Sequence, residues 1–285
     1  MADITKELTD LAQTLLNEKK VDYIIGYQKS NFNDNITPAF INSPDEANKL
    51  IFNEKSHHNL ALYLTKRYAR KGEKAGIIAK GCDIKAINML IQENHIKRED
   101  IIIIGIGCSG VKINGEWASK CYNCEVADPL VKDYIIGTPN PPKMETSSVS
   151  GQLANLLKLS PKERWDFWQK ELSKCIKCYA CRQVCPMCYC DQCITDINSP
   201  QWIETSAHDR GNLLYHIVRA WHLTGRCVNC GECERVCPVS IPLSLIYTHL
   251  TEEVKKTYDY TAGITPEGSP LLIKFSPDDN EDFIR

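Results

Sequence analysis

The sequence predicts an α/β protein in two parts: a small parallel sheet domain with crossover helices over residues 1–145, then a helix-rich domain over 146–285 built around a cysteine repeat. Three observations predict it. The strand-like stretches AGIIA (75–79) and DIIIIGIG (100–107) bracket the helical DIKAINMLIQENH (83–95), an alternation that yields parallel strands joined by a crossover helix. GTPNPPKMETSSVSGQ (137–152), rich in proline and serine and without periodicity, reads as a linker. Beyond it, KCIKCYACRQVCP (174–186) and RCVNCGECERVCP (226–238) superimpose without a gap.

The remaining elements follow in order. Residues 4–19 have the apolar spacing of an amphipathic helix, and VDYIIGY (21–27) reads as a strand before the Asn/Pro-rich NFNDNITPAFINS. In SPDEANKLIF, Ser43 is placed to cap a helix, with Pro44 at its first position and Glu46 completing a capping box. HHNLALYLTKRYARK then continues as a helix after a break. SPKERWDFWQKELSKC repeats the capping arrangement at Ser160 and Glu163 and leads into the cysteine region. DRGNLLYHIVRAWHLTG and IPLSLIYTHLTEEVKKTYDY read as flanking helices, and the tail GITPEGSPLLIKFSPDDNEDFIR as an extended segment laid on the surface or on a partner.

Composition narrows the function classes. With 34 Lys and Arg against 36 Asp and Glu the formal charge is −2, so no basic excess points to nucleic acid or an anionic membrane. No stretch reaches the roughly 20 apolar residues of a membrane span, and MADITKELTDLAQTLLNEKK lacks the basic start and apolar block of a signal peptide. Fifteen cysteines, an odd number mostly in C-x2-C spacings, indicate metal-bound thiols in a reducing, cytoplasmic compartment rather than a disulfide scaffold. Phosphate loops, His-Glu-x-x-His and a convincing Gly-x-Gly-x-x-Gly are all missing, so no catalytic residue is assigned.

The repeat carries the strongest chemistry. Each copy is Cys-x2-Cys-x2-Cys-x3-Cys-Pro, the ligand run of a bacterial-type dicluster ferredoxin module, in which the fourth cysteine serves the other cluster. That rule assigns Cys175, Cys178, Cys181 and Cys237 to one 4Fe-4S cluster, and Cys227, Cys230, Cys233 and Cys185 to a second. Structural zinc in a non-redox interaction module is the competing reading, although zinc uses two C-x2-C pairs per ion.

Two further groups stay open on spacing alone. Cys82 follows one expected strand and Cys108 another, so both thiols fall at the carboxyl edge of a parallel sheet, with Cys121 and Cys124 on a nearby loop. The four read either as a third 4Fe-4S site, or as two core cysteines plus a redox-active pair. Lys80 and Asp83 beside them read as turn residues, with charge tuning of a cluster as the alternative. Cys188, Cys190 and Cys193 are surplus to the ferredoxin count. They form a candidate additional metal site with His208, His216 or His222 as fourth ligand, a cluster completed by a partner, a replacement for Cys185, or three free thiols. His222 could instead hydrogen-bond a cluster sulfur.

The segment KAGIIAKGCDIKAINMLIQENHIKREDIIIIGIGCSGV, followed by CYNC and DYIIGTPN, resembles the beta subunits of deazaflavin (coenzyme F-420)-reducing hydrogenases and related formate dehydrogenases. The cysteine repeat resembles the dicluster modules of heterodisulfide-reductase-linked electron-transfer subunits. The first resemblance implies a 4Fe-4S cluster at Cys82, Cys108, Cys121 and Cys124. It also implies catalytic and flavin-containing redox subunits as partners in a hetero-oligomeric complex. The chain departs from flavin-binding relatives where they carry a glycine-rich segment, because GYQKSNFNDNITPAF has Gly26 alone. The expected function is therefore an iron–sulfur electron-transfer subunit of an anaerobic redox complex. The alternative is an FAD-containing catalytic subunit acting on a deazaflavin or nicotinamide.

Overall fold

The computed structural model describes residues 2–65, 68–122, 124–143 and 148–271. Helix α1 (Ala2–Asn17) leads into strands β1 (Tyr23–Lys29) and β2 (Ile36–Ile41). Next come β3 (Ala75–Ala79), α2 (Gly81–Gln92), β4 (Ile101–Ile106), the small hairpin β5 (Lys112–Ile113) and β6 (Glu116–Trp117), and β7 (Tyr134–Ile136). The helices α3 (Val149–Leu157), α4 (Pro161–Ser173), α5 (Ala180–Gln183), α6 (Asp209–Leu223), α7 (Glu232–Arg235) and α8 (Leu243–Tyr258) complete the chain.

The sheet runs β2-β1-β3-β4-β7, with β1, β3, β4 and β7 parallel and β2 antiparallel at one edge. Its centre follows from composition. All five residues of β3 are buried, and in β4 all but Ile102 are, as expected of strands covered on both faces. Ile77, Ile78, Ile103 and Ile104 are at most 1% exposed, each worth roughly 1.5–3 kcal/mol of apolar burial. The main buried set continues through Tyr215, Leu223 and Ile241 of the cysteine-bearing region, with two small clusters beside it at Val111, Ala118 and Cys121 and at Leu153, Leu156 and Leu245.

Several local expectations change. The segment after Ser43 is a 3-10 turn, Pro44–Lys49, and Ser43 makes no side-chain cap. Glu46 instead accepts from the Asn42 amide at 3.1 Å and pairs with Lys49 at 2.7 Å, which closes the turn before a helix can propagate. The helix expected from 57 to 71 contracts to a 3-10 turn at Leu60–Leu64, with residues 66 and 67 outside the described set. Its first turn is taken up by tertiary contacts: Asn59 accepts from the Ala61 amide, and the Leu60 amide donates to Asp83 of α2. Strand β2 lies within the Asn/Pro-rich stretch, where Pro38 is tolerated because the strand is at the edge. Of the crossovers, only β3–α2–β4 uses a regular α-helix; β1 reaches β3 through β2 and the two 3-10 turns.

Around the cysteine repeat the expectations hold. Ser160 and Glu163 form the reciprocal capping box of α4. The two cysteine runs share one backbone course: Lys177 and Tyr179 are left-handed in the first, and Asn229 and Gly231 at the equivalent positions in the second. Each run then enters a single helical turn, α5 or α7. Residues 262–271 of the tail lie along α2, where Asn88 and Gln92 donate to the carbonyls of Gly263 and Thr265; the rest of the tail lies outside the described residues.

Candidate iron–sulfur centres

The sheet register places the first thiols. Ala79 of β3 pairs with Gly105 of β4, and Cys82 and Cys108 each follow their paired position by three residues at the carboxyl edge. The loop bearing Cys121 and Cys124 folds onto that edge: the Cys108 amide donates to the Ala127 carbonyl at 2.9 Å, and the Ala118 amide to Val111. A methyl group on Gly81 would sit 1.7 Å from the Val126 carbonyl oxygen, so only glycine lets the start of α2 close on this loop. Gly107 plays the same part against Gly137, where a methyl would lie 2.5 Å from the carbonyl oxygen.

Cys82, Cys108, Cys121 and Cys124 line one cavity of about 450 Å³. Backbone amides point at two of the sulfurs, Gly110 at Cys108 Sγ (3.3 Å) and Val111 at Cys121 Sγ (3.4 Å). The same cavity is lined by Cys185, Cys227, Cys230 and Cys233, the set that the ferredoxin rule groups across the two runs. Within that set the thiols influence one another: burial pushes Cys227 up to about 12, with Cys230 and Cys185 adding to it, and Cys230 up to about 11. Burial likewise raises Cys175, reinforced by Cys181, Cys178 and Cys237, the other predicted set. Lys177 and Ile241 donate backbone N–H groups to Cys175 Sγ and Cys237 Sγ, each at 3.4 Å.

Positive charge is built in beside them. Lys80 and Asp83 are buried and ion-paired at 2.9 Å, not exposed turn residues as the sequence suggested. Burial opposes the Lys80 ammonium, but Asp83 and the Cys82 thiolate outweigh it and raise its pKa. Sequence reasoning missed three further cations. Lys85, one turn after Cys82 in α2, stands within electrostatic reach of Cys227, Cys82 and Cys124. Lys120, largely buried with its side chain 10% exposed, precedes Cys121 and donates to the Cys230 carbonyl. Arg219 of α6 donates to the Cys181 carbonyl at 3.0 Å and faces Cys188, Cys185 and Cys233. Lys85 and Lys120 each neighbour a motif cysteine in sequence, a signal that could have singled them out; Arg219 had none.

Among the described residues no three His, Cys, Asp or Glu side chains close on a single-ion site. Zinc with Zn–S bonds of about 2.3 Å draws its ligands tightly together, whereas a four-iron cube holds its thiolates at separate corners. Four-thiol sets, amides directed at sulfur and flanking cations fit the cube. Cys188, Cys190 and Cys193 part from one another: Cys188 lies against Cys185 and Arg219, Cys193 accepts from Thr195 Oγ1 at 3.2 Å, and Cys190 is exposed. Of the proposed fourth ligands, His208 pairs with Glu204, and His216 is buried in α6 away from these thiols, with both ring nitrogens lacking a partner. His222 lines a second cavity with the three thiols.

No flavin cradle is visible at the β1–β2 hairpin. Gly26 is a packing glycine whose added methyl would lie 2.5 Å from Leu50 and 2.8 Å from Ile78, and the segment around it forms antiparallel strands. The hairpin therefore carries no glycine-rich loop opening a helix of the kind that holds a pyrophosphate.

The fold and its thiols define an α/β iron–sulfur protein. Residues 222–242 match the 4Fe-4S binding domain family, a span holding Cys227, Cys230, Cys233 and Cys237. The chain is similar to the F420-dependent formate dehydrogenase subunit beta of Methanocaldococcus jannaschii, 24% identical over 93% of each chain. It is also similar to F420-dependent formate dehydrogenase 1 subunit beta of Methanococcus maripaludis, 33% identical over 37% of this chain and 26% of that one. The resemblance read from KGCD, GCSG and CYNC therefore extends along most of the chain. Among the described residues no helix is long and apolar enough to cross a membrane.

Proposed function

We propose that this chain is a cytoplasmic electron-transfer subunit that relays single electrons between partner subunits of a formate dehydrogenase, hydrogenase or heterodisulfide-reductase-like complex. Residues 1–145 hold one 4Fe-4S centre at Cys82, Cys108, Cys121 and Cys124. Residues 146–285 hold two, one at Cys175, Cys178, Cys181 and Cys237 and one at Cys227, Cys230, Cys233 and Cys185. Clusters of this type supply one-electron transfer.

The observation that carries the reading is the shared cavity: thiols of the sheet edge and of the second cysteine run line the same space. The chain's own residues do three things there. Backbone amides at Gly110, Val111, Lys177 and Ile241 donate to sulfur and stabilise the thiolate form. Lys80, Lys85, Lys120 and Arg219 offset negative charge that burial would otherwise make costly. Cys82, Cys175, Cys181, Cys185, Cys227, Cys230, Cys233 and Cys237 pack in or against the main hydrophobic core.

Stepwise reduction of anaerobic protein, followed by electron paramagnetic resonance, tests the reading. Interacting low-potential cluster signals are expected, and Cys82→Ala with Cys108→Ala removes one cluster while two remain. Acid extraction releasing about one flavin per chain would favour the catalytic alternative, toward which the similarity to F420-dependent enzymes points.

A further inference from the structure

Cys188 is surplus to the ferredoxin count, yet it is tied to Cys185, the ligand that the first run lends to the second set. In CPMC (185–188) the Cys188 amide donates to the Cys185 carbonyl at 3.1 Å, and the two thiols share a hydrogen bond. Cys185 lines the first cavity, Cys188 lines a second one, and Arg219 lines both. Arg219 differs from the other arginines around the second cavity. Arg182 pairs with Asp196 at 2.8 Å and Arg226 with Glu93 at 3.1 Å. Arg219 is only 6% exposed and has no carboxylate partner among the described residues. It donates to the Tyr247 hydroxyl and to the Cys181 carbonyl, the latter at 3.0 Å, and its Nε lacks a partner. A buried charge without a counter-charge is costly, and the negative groups that Arg219 faces are the sulfurs of Cys188, Cys185 and Cys233. One guanidinium thus serves Cys181 of the Cys175 set together with Cys185 and Cys233 of the Cys227 set.

We propose that Arg219 and Cys188 form a polar bridge between the two ferredoxin-type centres, in which Arg219 raises the potential of both and Cys188 is a positioning residue for the Cys185 sulfur. A Cys185 sulfur bound to iron has no proton to give, so the Cys188 S–H is the donor in their hydrogen bond. A hydrogen bond to a ligating sulfur and a nearby positive charge both favour the reduced, more negative form of a centre. The sheet-edge site lies outside this bridge, because the cations beside Cys82, Cys108 and Cys124 are Lys80, Lys85 and Lys120. The inference rests on the reading of the chain as an iron–sulfur protein, whose own failure would show as wild-type protein without iron and sulfide.

The test measures iron, acid-labile sulfide and resonance-monitored potentials on anaerobically purified wild type and on Arg219→Gln, Cys188→Ala and Cys188→Ser. Arg219→Gln is expected to lower both ferredoxin-type potentials and to leave the sheet-edge potential where it is. Cys188→Ala is expected to keep its full iron and to lower the potential of the Cys227 centre alone. Cys188→Ser, which retains a donor, should return that potential toward the wild-type value. Absence of either shift, a shift shared equally by all the centres, or loss of iron from Cys188→Ala overturns the proposal. If Arg219→Gln fails to fold, Cys188→Ala decides alone, and an unchanged potential at the Cys227 centre overturns the proposal.

Discussion

Lys120 reaches from the loop that carries Cys121 to the main-chain carbonyl of Cys230 in the second cysteine run. Its ammonium also lies 3.8 Å from Glu232, whose carboxylate is fixed by Arg235 at 2.7 Å. Burial would raise Glu232, but Lys120 and Arg235 hold it below the usual carboxylate range. Burial opposes the charge on Lys120 as well, and the Cys82 thiolate, Glu232 and the Cys230 thiolate together raise it well above the usual lysine value. One buried cation thus ties the sheet-edge thiols to the ferredoxin-type thiols.

Replacing that cation changes redox behaviour at both ends. Lys120→Met removes positive charge that favours the reduced form, so the centres at Cys82 and at Cys227 shift to lower potential. The centre at Cys175, outside the shared cavity, keeps its value. A resonance-monitored redox titration resolves the three, and a uniform shift or none would show that Lys120 has only a structural role.

The Lys80–Asp83 pair supports the same edge. Both side chains are at most 2% exposed, and Asp83 also accepts from the Lys80 amide at 2.8 Å and the Leu60 amide at 3.2 Å. Asp83→Ala removes the counter-ion of the Lys80 ammonium, which keeps only the neutral acceptors Tyr27 and the His58 carbonyl, and leaves two amides unpaired; a cost of roughly 3–5 kcal/mol is expected for breaking a buried pair. Denaturant unfolding under anaerobic conditions measures it.

Gly81→Ala places a methyl group 1.7 Å from the Val126 carbonyl oxygen. The loop holding Cys124 must then withdraw from α2. The variant should lose about four irons from the sheet-edge site while the ferredoxin signals persist. A full complement of iron would show that the loop does not serve that site.

Much of this was legible from local pattern. The β3–α2–β4 unit, the Ser160 capping box and the cysteine repeat are each written in neighbouring residues, so spacing was enough. The register that brings Cys82 beside Cys108 followed from parallel pairing alone. The helix expected at 57–71 was lost to competition from a distant group, since Asp83 captures the Leu60 amide and no local pattern encodes that contact, whereas after Ser43 the local contacts of Glu46 with Asn42 and Lys49 close a shorter turn. Lys120 and Arg219 gain their roles only when the two cysteine runs fold against the sheet edge. Lys80 and Asp83 looked like turn residues because burial is a property of the whole fold.

Acid stability has a defined sign. Burial lowers His216 to about 4, and burial with Arg235 lowers His57 and His58 to about 4, so the fold favours the neutral rings. A depressed histidine contributes stability that is fully present above the unfolded value near 6.5 and is lost as pH falls toward 4. The thermal unfolding midpoint should therefore fall as pH drops from 6.5 to 4. His216→Phe, which replaces a ring with no hydrogen-bond partner, should make that decline shallower.

Iron, sulfide and zinc quantified together on one anaerobic sample test the central claim most directly. A relay with a sheet-edge centre requires about twelve irons per chain with matching sulfide, at four per cluster. Iron near eight, or zinc occupying the thiols of Cys82, Cys108, Cys121 and Cys124, would contradict it.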